Sequence, residues 1–251
     1  MSSGVARNLQ HVRQRISDVL AVSPWKQQCT LVAVSKTKPV ADIEVAYGLD
    51  QRHFGENYIQ ELVEKAPVCP SDIQWHFIGH LQSNKVKTLV AGVPNLYMVE
   101  SVDSIKVASK LDKAWGERQS GHPLRVMVQV NTSGTSNTLI KSCSSDVAAG
   151  EVQKSGVAPA DCVQLAAHIH GSCANLTLSG LMTIGRFDDD TSDCFDSLVA
   201  CRSRVSSALG VDETNLALSM GMSGDFELAI ARGSNYVRVG SNIFGARNYA
   251  T

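Results

Sequence analysis

With 251 residues, 43% of them hydrophobic, and a formal net charge of −1, the chain can bury a full core. It lacks the cationic excess that recruits nucleic acid or anionic membranes, and no apolar run approaches the roughly 20 residues of a membrane span. Its seven cysteines are scattered, odd in number and never spaced Cys-x-x-Cys, the pattern of free thiols in a reducing compartment and not of disulfides or zinc ligands.

The first element spans residues 1–23. Val5, Leu9, Val12, Ile16 and Leu20 recur at helical spacing, so it reads as an amphipathic helix. Arg7, Arg13 and Arg15 with few acids add a faint organellar-leader flavour. Eight strand-like runs follow, over 31–35, 53–55, 74–78, 96–99, 125–131, 178–184, 216–220 and 236–239. Helical stretches separate them, over 40–47, 58–65, 83–91, 104–118, 160–174, 192–209 and 225–231. Such alternation implies a parallel sheet, and eight units are the number that closes a barrel. We therefore expect an α/β fold: a single (β/α)8 TIM-type barrel domain over 1–251, with the N-terminal helix packed on it. A doubly wound open sheet would want a glycine-rich turn after its first strand, and this turn reads Ser35-Lys36-Thr37-Lys38-Pro39. Residues 135–150 (TSNTLIKSCSSDVAAG) follow the fifth strand and read as a long loop insertion.

The active face of such a barrel is the C-terminal end of its strands. The tips are then Lys36, Asn57, the His80 turn, Glu100-Ser101, Asn131, Thr183, residues 220–224 and Gly240-Ser241. In TLVAVSKTKP an apolar, β-branched strand carries the amine of Lys36 to its tip, and the direct chemical use of such an amine is an imine with an aldehyde. Lys36 shares strand parity with Val32 and Val34, although a solvated end-of-strand lysine fits this one strand equally well. Lys38 precedes a proline and reads as a surface or entrance charge. Residues 219–225 (SMGMSGD), with Ser223 or Gly224 opening the following helix, offer backbone donors to a phosphate. Gly240-Ser241 ends the eighth strand, where these barrels often complete a phosphate site. Arg238 lies two residues before that tip, and parity alone leaves inward and outward orientations open.

Other polar candidates carry less. On a strand His76 and His80 stand about 13 Å apart, too far to share a metal, so no metal site is expected. Asp188, Asp189 and Asp190 read as a solvated loop or helix start. Glu56, beside Asn57, could serve as an acid or base, but nothing in the sequence pairs it with a partner.

Seven blocks together resemble the pyridoxal phosphate homeostasis proteins: LVAVSKTKP (31–39), FGENYIQE (54–61), WHFIGHLQ (75–82), VQVNTSG (128–134), SGLMTIG (179–185), LSMGMSGDF (218–226) and VRVGSNIFGAR (237–247). They keep their order over nearly the whole chain. The resemblance implies a fold-type III barrel similar to that of bacterial alanine racemase. It implies that Lys36 forms a Schiff base with pyridoxal 5′-phosphate and that Ser223, Gly224, Gly240 and Ser241 hold the phosphate. Arg238 would face the pyridine nitrogen and Asn57 would line the cofactor's edge. An arginine, with a pKa above about 12, does not readily protonate that nitrogen, which weakens carbanion chemistry. We therefore expect a non-catalytic holder that keeps intracellular pyridoxal phosphate in balance and supplies it to apo-enzymes. The alternative is an amino-acid racemase using the same Schiff base. Racemases of this barrel type add a β domain with a catalytic tyrosine; only a short tail follows Arg247, so none is expected here. The expected protein is a monomer or weak dimer of the cytoplasm or an organelle, without nucleic-acid or membrane partners. Two departures from the family pattern are the 135–150 insertion, read as a gene-model or splicing artefact, and Asn242 in place of the usual Thr, which is expected to cost a phosphate hydrogen bond.

Overall fold

The strand that carries Lys36, β1 (Thr30–Val34), buries Leu31 to Val34 without interruption, as a strand covered on both faces must. The computed structural model describes residues 2–134, 155–186 and 190–246. The expected insertion over 135–150, and Asp188 and Asp189, lie outside the described residues. Seven strands follow β1: β2 (His53–Glu56), β3 (Gln74–Phe77), β4 (Leu96–Val102), β5 (Leu124–Gln129), β6 (Leu176–Met182), β7 (Ala217–Ser219) and β8 (Tyr236–Val239). Each pairs in parallel with its predecessor, and β8 closes on β1 through Thr30–Tyr236, Leu31–Val237, Val32–Arg238 and Ala33–Val239. The result is the closed (β/α)8 barrel expected from the alternation.

The helices are α1 (Ser2–Val22), α2 (Val40–Tyr47), α3 (Ile59–Lys65), α4 (Val86–Gly92), α5 (Ile105–Arg118), α6 (Cys162–Ser172), α7 (Ser192–Leu209), α8 (Phe226–Ala231) and α9 (Ser241–Phe244). Alternation along each strand sorts side chains into two layers. Ala33, Phe54, Trp75, Phe77, Val126, Val128, Leu218, Val237 and Val239 belong to the core between strands and helices. Met98, Met127 and Met182 form a separate buried cluster on the inner face. Helix α1 adds Val5, Leu9, Val12 and Ile16 to the outer core. Asn8 donates to the Ile243 carbonyl at 3.2 Å and Arg15 forks onto Glu227 at 2.8 and 2.9 Å, tying α1 to α9 and α8. Among the described residues no helix is long and apolar enough to cross a membrane.

Two local expectations change, and one helix is added. Strand β4 runs on to Val102, so Glu100 and Ser101 are buried within it and do not form its tip. Helix α8 begins at Phe226, which leaves Ser223 and Gly224 in the turn before it and not in its first turn. The helix α9, too short to show a period, directly follows Gly240.

Candidate functional site

A cavity of ≈ 290 Å³ opens at the C-terminal ends of the strands. Lys36, Asn57, Ser223, Gly224, Arg238, Gly240 and Ser241 all line it, with Lys38, Val34, Ile78, Ile184, Met222 and Gly245. The seven residues singled out in the sequence are thus brought to one place, and Arg238 takes the inward orientation that parity left open. Among the described residues the lining carries cations and no carboxylate, so an anion suits it.

Lys36 stands two residues beyond β1, and its neighbours are held on both sides. The buried Lys65 ammonium donates to the Ser35 carbonyl at 2.8 Å, to Glu56 Oε1 at 2.8 Å and to Glu61 Oε1 at 2.5 Å. Ser35 Oγ donates to Glu56 Oε1 at 2.7 Å. Thr37, in the left-handed region with φ 61°, donates its N–H to Glu61 Oε1 at 2.6 Å. A non-glycine residue held at positive φ costs energy, which this cluster of charges offsets. Burial pushes the Glu56 carboxyl above its ordinary range, against the pull of Lys65 and the Ser35 hydroxyl. Glu56 therefore has the partners that sequence could not supply. The Glu61–Lys65 pair was readable as an i,i+4 spacing, but the reach of Lys65 to Glu56 and Ser35 exists only in the fold.

Asn57 is positioned by the turn after β3. A Cβ at Gly79 would fall 1.9 Å from the Asn57 carbonyl oxygen, so only glycine lets the two loops pass. Asn57 Oδ1 is buried and has no hydrogen-bond partner among the described residues.

The loops after β7 and β8 are tied to each other. Gly240 N–H donates to Ser223 Oγ at 3.2 Å, and Asn242 Nδ2 donates to the Ser223 carbonyl at 2.7 Å. Asn242 thus has a local task as the tie between the two loops. Asp225 accepts from the Met222 N–H at 2.6 Å and from Thr191 Oγ1 at 3.1 Å. Arg238, 4% exposed, donates to Ser219 Oγ at 2.6 Å and to the Thr183 carbonyl at 2.7 Å. Burial lowers the pKa of its guanidinium, and Glu100 and Asp225 oppose that shift.

Of the remaining candidates, Lys38 stays at the cavity and the others disperse. Lys38 donates to the Ala246 carbonyl at 2.6 Å at the cavity mouth. His80 lies at the rim, 3.3 Å from Asp103 and 3.1 Å from Ser155 Oγ, while His76 is buried inside the barrel against Glu100. The two histidines share no partner in these contacts. Asp190 accepts from the N–H and hydroxyl of Ser192 at the start of α7.

Residues 7–248 match the alanine racemase N-terminal domain family. A pyridoxal phosphate homeostasis protein from Homo sapiens is 43% identical over 98% of this chain and 88% of its own length. This chain belongs to the pyridoxal phosphate homeostasis protein family. The family member from Caenorhabditis elegans is 41% identical over 98% of this chain and 97% of its own. Among solved structures, PipY of Synechococcus elongatus with PLP bound aligns at a TM-score of 0.71 and 30% identity, over 96% of this chain and all of that one (100%). Alanine racemase from Corynebacterium glutamicum, 13% identical with a TM-score of 0.69, covers 98% of this chain and 62% of its own, a likeness of fold.

Proposed function

We propose that the chain binds pyridoxal 5′-phosphate in this cavity, held covalently through Lys36, and serves intracellular cofactor homeostasis by supplying apo-enzymes. The observation that carries the reading is the convergence of an amine, a buried guanidinium and two glycine- and serine-bearing loops on one ≈ 290 Å³ cavity. That volume lies just below the range of about 300–1,000 Å³ for small-molecule sites. The lining fits the group: its cations suit a phosphate, and the unpartnered Asn57 Oδ1 offers an acceptor to a ring substituent.

When bound, the cofactor supplies an aldehyde that an amine can capture and a ring that withdraws electrons. Lys36 is the amine. Ser223, Gly224, Gly240 and Ser241 would cradle the phosphate, and the tie through Asn242 keeps their loops together. Arg238 would meet the ring nitrogen, where a permanent cation donates a hydrogen bond without giving up its proton. Asn57 would hold the edge of the ring.

The carrier reading is favoured over a racemase. Inverting a carbon centre calls for acid–base groups on both faces of the substrate. Among the described residues the lining offers Lys36 and Lys38 but no tyrosine, histidine or carboxylate. The comparisons support the same reading through the shared name of the relatives.

The test is addition of pyridoxal phosphate to the purified protein, followed by borohydride reduction and peptide mass mapping. A visible absorption band, and a reduced adduct on the Lys36 peptide that is absent from Lys36→Ala, are expected. Handover to an apo-enzyme without turnover of L- or D-alanine would uphold the carrier. Adduct on other lysines only would overturn the site, and sustained racemization would overturn the carrier.

A further inference from the structure

The inside of a barrel of this kind is ordinarily filled by branched aliphatic side chains. Here a line of polar groups crosses it. His53 Nδ1 lies 2.9 Å from His76 Nε2, and His76 Nδ1 lies 2.6 Å from Glu100 Oε1. Ser219 Oγ donates to Glu100 Oε2 at 2.5 Å, and Arg238 donates to Ser219 Oγ at 2.6 Å. His76, Glu100 and Ser219 are wholly buried, with 0% exposure. The line joins β2, β3, β4, β7 and β8, starting at a half-buried histidine and ending at the guanidinium in the cavity wall.

Donor counting sets its direction. Arg238 can only donate, so the Ser219 oxygen accepts from it and commits its own proton to Glu100. An ionised Glu100 accepts at both oxygens, from Ser219 and from His76 Nδ1–H. His76 Nε2 then faces His53 Nδ1 at 2.9 Å, which carries the line on to β2. Burial alone would raise the Glu100 carboxyl, but His76, Arg238 and Ser219 outweigh it, so the net shift is downward. A buried carboxylate thus lies one hydroxyl away from a buried cation. Asp225 is the other carboxylate acting on Arg238, but its described bonds go to Met222 and Thr191.

We propose that Glu100, acting through Ser219, is the positioning residue of the cavity's buried cation. It fixes the orientation of the Arg238 guanidinium and draws part of its charge away from the cavity. His76, steadied by His53, in turn fixes the carboxylate. The hydrogen bond that Arg238 offers to a ring nitrogen is thereby set from inside the barrel. The inference rests on the reading of the cavity as a pyridoxal phosphate site and adds residues outside its lining.

The experiment uses the full chain with Ser219→Ala, Glu100→Gln and Glu100→Asp, titrated with pyridoxal phosphate and followed by absorption and by borohydride trapping. Ser219→Ala keeps both charges but cuts the link between them. It should shift the visible absorption maximum and weaken apparent affinity about tenfold, while trapping still falls on Lys36. Glu100→Gln should do the same and Glu100→Asp should restore part of it. In the protein without cofactor, Glu100→Gln should also abolish the downfield proton resonance of a strongly hydrogen-bonded His76 Nδ1–H. Folded Ser219→Ala and Glu100→Gln proteins with wild-type spectrum and affinity would overturn the inference. If Glu100→Gln does not fold, Ser219→Ala decides. A wild type that traps no cofactor at Lys36 overturns the functional reading and this inference with it, whereas unchanged variants against a trapping wild type overturn this inference alone.

Discussion

Lys36 is as well placed as the backbone on either side of it, and that backbone depends on Lys65. The Lys65 ammonium meets the Ser35 carbonyl, Glu56 and Glu61 from within the protein. Removing one partner of a buried pair costs more than the pair contributes, because the remaining charge stays buried. Lys65→Met should therefore destabilise the fold by about 3–5 kcal/mol, read from denaturant unfolding. Adding Glu56→Gln to Lys65→Met should recover part of the loss. Loss of less than about 1 kcal/mol, the scale of an exposed pair, would mean that the pair is solvated. At this scale the sequence was partly legible. Lys36 was a candidate because an apolar strand carries its amine to the tip, and the family resemblance decided it over a solvated lysine, but Glu56 had no visible partner because Lys65 reaches it only across the β2–α3 turn.

Between elements, the register of neighbouring turns decides what reaches the cavity. Gly79, after β3, passes so close to the Asn57 carbonyl that a methyl group there would force the turns apart. Gly79→Ala should cost toward the upper end of the about 1–3 kcal/mol typical of overpacking, since the obstructing atom is backbone. It should also weaken pyridoxal phosphate binding in a titration, by moving Asn57. Wild-type stability and affinity together would show that the turns yield easily. Element type and order could be read from hydrophobic period, and the bounds of α2, α7 and β8 match the expected ones. The end of β4 could not, because Glu100-Ser101 reads as a polar tip until His76 and Ser219 supply Glu100 with interior partners. At four residues, α9 is too short for any period to show.

For the whole molecule, closing the sheet encloses titratable groups. Burial, reinforced by His76 and Arg125 and opposed by Glu100, lowers the His53 pKa from 6.5 to about 4. A depressed folded pKa means that the unfolded chain takes up the proton first. This contribution to stability is present above pH 6.5 and is lost as pH falls toward about 4. Thermal unfolding measured across that window should fall with pH in the wild type and fall less in His53→Gln. Parallel curves would show that His53 is solvated in the folded protein.

The sequence by itself determined the eight alternating units, hence the barrel, and most of the residues at the strand tips, Glu100-Ser101 excepted. These follow from local period and from the chemistry of short segments. Only the tertiary structure decided that Arg238 faces inward, that Glu56 is paired, and that His76 and Glu100 form a polar line behind the cavity. A strand's period divides side chains between two faces without saying which face is enclosed, and partners distant in sequence come within hydrogen-bond reach only when the barrel closes.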